Sequence, residues 1–163
     1  MGRARYTKFR TLPQILKLIE ATLKAKARGT IDTDPNAKLL SGLSQLMFTD
    51  VPGNPAAKKY RQGKTLGSGR KHWFRAKFGR NRFRLFYRYS STHKTIIYAW
   101  VNDSNTLSTY SSKKDAYAVF KGMLDDGNPP DDWDDLMNTC ALSGVDSTSE
   151  ITRRIEQALT DQE

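Results

Sequence analysis

Thirteen lysines and arginines lie between Val51 and Asn102, at positions 58, 59, 61, 64, 70, 71, 75, 77, 80, 82, 84, 88 and 94, with no aspartate or glutamate among them. Cations at this density hold phosphates. The interleaved rings, Trp73, Phe74, Phe78, Phe83, Phe86, Tyr87 and Tyr89, either stack on bases or fill a core. This segment alone carries more than the net charge of +10, so the field of the chain is aimed at a polyanion, with nucleic acid the natural one. His72 and His93 add a second possible chemistry, because an imidazole pair within reach of one phosphate can run acid–base cleavage near neutral pH; two ordinary surface histidines are the preferred reading, because the cationic cluster lies two to three residue pairs further along the hairpin. Two histidines, one cysteine (Cys140) and an acid-free window supply neither a structural zinc site nor carboxylates for magnesium. The chemistry expected is therefore metal-free, with no cofactor.

The elements that position these residues follow from periodicity. Trp73–Gly79 and Arg82–Tyr89 alternate with a period of two, and Arg80-Asn81 between them forms a two-residue turn, since Asn tolerates positive φ. Such a turn sets Phe78 opposite Phe83, Ala76 opposite Leu85 and Phe74 opposite Tyr87 on an apolar face. The other face pairs Lys77 with Arg84, Arg75 with Phe86 and Trp73 with Arg88. Like charges directly opposite each other destabilise a sheet, so Lys77 beside Arg84 argues for a ligand rather than for a purely structural surface. A third strand is expected over about 95–102; if its turn is also tight, Ala99 and Thr95 lie beside Arg84 and Arg88, leaving room for that ligand.

Helical patterning surrounds this hairpin. Thr11-Leu12-Pro13-Gln14 has the form of a capping box, followed by Ile15, Leu18, Ile19, Thr22 and Leu23 on one face, with Gly29 after Arg28 as the stop. Asp34-Pro35 opens a second helix whose stripe is Leu39, Leu43, Leu46 and Met47. A third helix carries Ala116, Val119, Phe120, Met123 and Leu124 up to Gly127-Asn128-Pro129-Pro130. A short segment around Trp133, Leu136 and Met137 comes next, and Ser147-x-x-Glu150 caps a last helix. From Asp125 onward eleven acids face only Arg153 and Arg154, a local net charge of −9, which reads as a solvated acidic face or as a shield for the basic surface. At 163 residues the chain fits one domain, with residues 140–163 as a helical extension beyond 1–139, and nothing in it reads as a signal peptide or membrane span.

Several short motifs recur together. Gly63-Lys64-Thr65-Leu66-Gly67-Ser68-Gly69, then His72 to Gly79, Arg82 to Tyr89, Trp100 to Leu107, Asp115-Ala116-Tyr117, Val119-Phe120 and Pro129-Pro130-Asp131-Asp132-Trp133 resemble, in order, the YhaV family of bacterial toxins. The resemblance covers about residues 10–137 and is dense over 62–133. It implies an α+β, RelE-like fold: a small antiparallel sheet with two N-terminal helices and C-terminal helices packed on it. It also implies a type II toxin–antitoxin toxin that acts in the cytoplasm as a metal-independent endoribonuclease on messenger RNA, often on the ribosome. The implied partner is a PrlF-like, AbrB-type antitoxin, with DNA reached only through the antitoxin complex and no membrane involved.

The catalytic residues implied by the resemblance are Arg84, Lys77 and Arg75; Tyr117, early in the third helix, joins them as a catalytic candidate from its own position, with a place in the core as the alternative. Arginine suits a phosphorane because it stays charged and grips two oxygens at once. Lys77 is either a base for the ribose 2′-OH or a phosphate anchor, and Tyr117 and Tyr110 are candidates for base stacking or proton transfer. Arg82, Arg88, Arg80, Phe86, Trp73, Tyr110 and Lys113 are the expected RNA-binding residues, and His72 and His93 form a lower-ranked acid–base pair. The family pattern has an arginine where this chain has Ser108, and a glycine where it has Ser111. That departure leaves open a second class of function, an RNA- or ribosome-binding protein without turnover.

Overall fold

The computed structural model of the chain describes residue 6 and residues 8–102, 116–141 and 147–160. At its centre the hairpin closes as its turn residues require. Arg80 (φ 60°) and Asn81 (φ 65°) both adopt left-handed backbone, and the Arg82 amide donates to the Gly79 carbonyl at 3.2 Å. Strands β2 (Phe74–Phe78) and β3 (Phe83–Ser90) pair in the expected register, from Phe74 with Tyr87 to Phe78 with Phe83, and Lys77 stands opposite Arg84.

The next strand departs from expectation. β4 (Thr95–Val101) is antiparallel to β3, but the connection is a four-residue turn with Lys94 at φ 53°, and Thr95 pairs with Ser90. A bulge opposite Phe86 and Tyr87 leaves Ala99 as the extra residue in β4. Arg88 therefore lies beside Ile97, and the side chain of Asn102 bonds the backbone of Arg84. Of the small neighbours expected there, Thr95 is displaced by two residues, to Ser90, and Ala99 sits in the bulge.

A fourth strand, β1 (Lys8–Thr11), pairs parallel with β4, giving the order β1-β4-β3-β2. The sheet is thus mixed rather than wholly antiparallel, within the α+β class expected. Thr11 ends this strand instead of capping a helix. Leu12 is the N-cap of α1 (Pro13–Arg28), without a side-chain cap, and Gly29 closes α1 at φ 77°. α2 (Pro35–Gln45) is capped by Asp34, whose Oδ1 accepts from the Asn36 and Ala37 amides, and it runs on through a wide π turn (Leu46–Asp50) to Gly53. The C-terminal helices are α3 (Ala116–Asp125), α4 (Trp133–Ala141) and α5 (Thr148–Leu159), the last capped by Ser147.

Both faces of the sheet are covered, and this governs the site. On one face Ala76, Leu85, Tyr87 and Tyr98 pack against α1, α2 and Ile151, Ile155 and Ala158 of α5. Two tyrosine hydroxyls in that layer are satisfied by backbone: Tyr87 donates to Pro55 O at 2.7 Å and Tyr98 to Met47 O at 2.9 Å. On the other face Trp73, Phe86, Ile97 and Trp100 pack under α3 and α4, against Phe120, Leu124 and Leu136. No helix among the described residues is long and apolar enough to cross a membrane.

Candidate functional site

Three of the expected residues converge where α3 crosses the hairpin. The Arg84 guanidinium lies 5.4 Å from the centroid of the Tyr117 ring and that of Arg75 lies 5.9 Å from it, so one ring is held by two cations. The ring itself stands edge-on against the buried Phe86, with centroids 5.8 Å apart. Arg84 Nη1 donates to Asn81 O at 2.9 Å, which ties the side chain back to the turn. Arg75 donates to the carbonyls of Lys59 and Arg61, each at 3.2 Å, which clips β2 to the preceding loop. The Nε donors of both arginines are buried, with no acceptor among the described residues. Lys77 is exposed beside Arg84 in the ladder. Among the described residues, none of Arg75, Lys77, Arg80, Arg82 and Arg84 forms an ion pair with a carboxylate. Such a cluster of half-buried and exposed cations without paired carboxylates suits a polyanion.

Arg80 and Arg82 extend the cationic surface at the exposed hairpin tip, with Arg82 against the Phe83 ring at 5.5 Å. The opposite end of the hairpin is occupied differently. Arg88, expected to bind RNA, is wedged between the Trp73 and Trp133 rings at 5.5 Å from each, and its Nη1 donates to Asp131 O. Burial lowers its pKa from the ordinary arginine value, while Asp131 and Asp132 act in the opposite direction. Trp73 and Phe86, expected to stack on bases, are fully buried under α3, with Trp73 edge-on and Phe86 stacked on Phe120. Parity places them on the cationic face, but the C-terminal helices cover that part of it.

Asp131 organises this second end. Its Oδ1 accepts from Trp73 Nε1 at 2.9 Å and contacts His72 Nε2 at 2.8 Å. Burial pushes its carboxyl up, but the hydrogen bonds from Trp73 and His72, with the charges of His72 and Arg88, hold it below the ordinary carboxylate range. His93 contacts Ser90 Oγ through Nδ1 at 2.8 Å and stacks on Trp133. The two histidines line one open groove of about 790 Å³ with Lys71, Tyr89 and Trp133, apart from the Arg75–Tyr117–Arg84 cluster. The acidic tail thus reaches the basic window at this end: Asp131 meets His72, and Asp125 pairs with Arg70 at 2.8 Å.

Tyr110, Lys113, Ser108 and Ser111 lie outside the described residues. Periodicity did not reveal three residues that hold the site together. Gln62, 4% exposed, bonds Arg70 O and Trp73 O through Nε2 and accepts from Thr65 and Leu66 through Oε1, which fixes the Gly-rich loop. Asn102 holds the backbone of β3, and Asp131 holds the second end. The available signal was chemical type, since each is a polar residue next to an aromatic or glycine-rich motif. No group of three or more His, Cys, Asp or Glu able to hold a metal ion occurs among the described residues.

Comparison with known proteins agrees with the motifs. Residues 7–141 match the family model for YhaV, described as a toxin with endonuclease activity, of a toxin–antitoxin system. The chain is 47% identical over 116 residues to the ribonuclease toxin YhaV of Escherichia coli K12, covering 71% of this chain and 75% of that protein. It is 44% identical over 127 residues to the toxin YhaV of Escherichia coli O6:H1, covering 77% and 82%. No solved structure matches.

Proposed function

The chain belongs to the YhaV family of toxin endonucleases, and on that premise we propose that it cleaves RNA at the Arg75–Tyr117–Arg84 cluster by attack of the ribose 2′-OH on the adjacent phosphate. The observation that carries the reading is the convergence of two guanidiniums on one phenol in a surface without paired carboxylates among the described residues. Arg84 stabilises the phosphorane, and Arg75 backs it with a second positive charge. Arginine keeps its proton, so proton transfer falls to Lys77 and Tyr117. Lys77 takes the 2′-OH proton as the 2′-oxygen bonds to phosphorus. The Tyr117 hydroxyl gives a proton to the departing 5′-oxygen as the P–O5′ bond breaks. The products are a 2′,3′-cyclic phosphate and a free 5′-OH. Exposed Arg80 and Arg82 hold flanking phosphates.

The substrate in this reading is messenger RNA in the cytoplasm, free or in the ribosome. The toxin–antitoxin family implies an antitoxin, here of the PrlF-like, AbrB type, with DNA bound only through the toxin–antitoxin complex. The test is incubation of the purified chain with RNA, free and ribosome-bound, in chelator without divalent metal. Fragments ending in 2′,3′-cyclic phosphate support the proposal. Intact RNA with salt-sensitive binding supports the non-catalytic alternative raised by Ser108.

A second reading has its own observation. His72 is oriented by Asp131 and His93 by Ser90, and both line one groove with Lys71, an arrangement suited to imidazole acid–base chemistry. The two readings differ in which substitutions abolish cleavage.

A further inference from the structure

We infer that Asn102 is a positioning residue for Arg84, acting as one additional backbone unit of β4; the inference rests on the cluster proposed above as the site of cleavage. Backbone pairing between β3 and β4 ends at Leu85 and Val101. Arg84 lies one residue further along β3, so its amide on the β4 side has no backbone partner in the ladder among the described residues. The Asn102 side chain fills that place. Its Oδ1 accepts from Arg84 N at 2.7 Å and its Nδ2 donates to Arg82 O at 3.1 Å. A primary amide presents one acceptor and one donor edge, as a peptide unit does, so the ladder continues by a residue through a side chain.

Asn102 is 3% exposed, and both ends of its amide are engaged. A second amide continues the same row. Gln14, in the first turn of α1, donates through Nε2 to Val101 O at 2.8 Å and accepts through Oε1 from Val101 N at 3.2 Å. The start of α1, the end of β4 and the start of β3 are thereby joined in series, and the series ends at the backbone bearing Arg84. That backbone also carries the turn whose Asn81 carbonyl receives Arg84 Nη1. Fixing residues 82–84 therefore fixes the Cα of Arg84 and the acceptor of its guanidinium together.

A chain that loses this hold keeps its cationic surface but misaims Arg84. A displacement on the scale of an ångström costs about 10- to 100-fold in turnover. The test compares Asn102→Ala, Arg84→Ala and the double variant for kcat and KM on a short RNA, with thermal melts to show folding. The expected result is a fall in kcat of that size for Asn102→Ala with KM changed by less than about threefold, and no further fall when Asn102→Ala is added to Arg84→Ala. Full turnover in Asn102→Ala overturns the inference, as does an equal fall in both backgrounds, which marks a merely structural residue. Asn102→Asp, which retains the acceptor for Arg84 N and loses the donor to Arg82 O, is read by the same criteria if the alanine variant does not fold. Wild-type cleavage by Arg84→Ala overturns the proposed cleavage site itself, and the role of Asn102 with it.

Discussion

Asp131→Ala isolates the hold on the second end of the hairpin. Trp73 is fully buried, and its indole N–H has Asp131 Oδ1 as its acceptor at 2.9 Å. Removing that oxygen leaves a buried donor without a partner, which costs about 1–3 kcal/mol. The His72 contact adds little, since the two side chains are 36% and 54% exposed, and such pairs contribute about 0–1 kcal/mol. For a chain of this size each kcal/mol shifts Tm by about 2–4 °C, so the loss is about 2–12 °C in a calorimetric or circular-dichroism melt. Trp73→Phe supplies the control, because it removes the indole donor and leaves Asp131 only the exposed His72 contact. In that background Asp131→Ala is expected to cost less than about 1 kcal/mol. Equal losses in both backgrounds would refute the claim that the indole hydrogen bond is the connection.

The same carboxylate gives a pH dependence. Its folded pKa lies below its unfolded value, so its contribution is complete above the ordinary carboxylate range and is lost as pH falls through the folded pKa. The Tm gap between the parent and Asp131→Ala should therefore narrow on acidification below about pH 4, and a gap that widens there contradicts the assignment. Gly79→Ala tests the turn: Gly79 holds φ 61°, and an added Cβ would come within 2.7 Å of the Phe83 ring. This variant should lose more than about 1 kcal/mol in a denaturant titration, and an unchanged midpoint would show the turn to be built otherwise.

What the sequence made legible was parity and punctuation. Arg80-Asn81 fixed the β2–β3 register, and Lys77 opposite Arg84 followed from counting outward from that turn. The helices beginning at Pro13 and Pro35 were readable from proline and apolar spacing. Thr11 misled because a capping box and the end of a short strand use the same residue types, and the capping partner Gln14 is committed to Val101 instead. The β3–β4 register departed from a tight turn because the connection takes four residues and a bulge sets Ala99 and Trp100 in succession on one face, a break that the unbroken apolar run of β4 does not display. Trp73, Phe86 and Arg88 were correctly assigned to the cationic face. Their burial depends on α3, α4 and Asp131, contacts distant in the chain that no local pattern encodes. Arg75, Arg84 and Tyr117 were individually visible, yet their meeting around one ring depends on where α3 crosses the hairpin.

The most direct measurement of where cleavage occurs is the yield of 2′,3′-cyclic phosphate ends from one RNA in chelator, for the parent chain, Arg84→Ala and the double variant His72→Ala, His93→Ala. Loss of one preorganised transition-state donor costs about 10²- to 10³-fold in rate, so Arg84→Ala should fall by that amount while the double histidine variant stays within about tenfold of the parent. Loss of all cyclic ends in the histidine variant, with Arg84→Ala cleaving at the parent rate, would contradict the account and move the chemistry to the groove between His72 and His93.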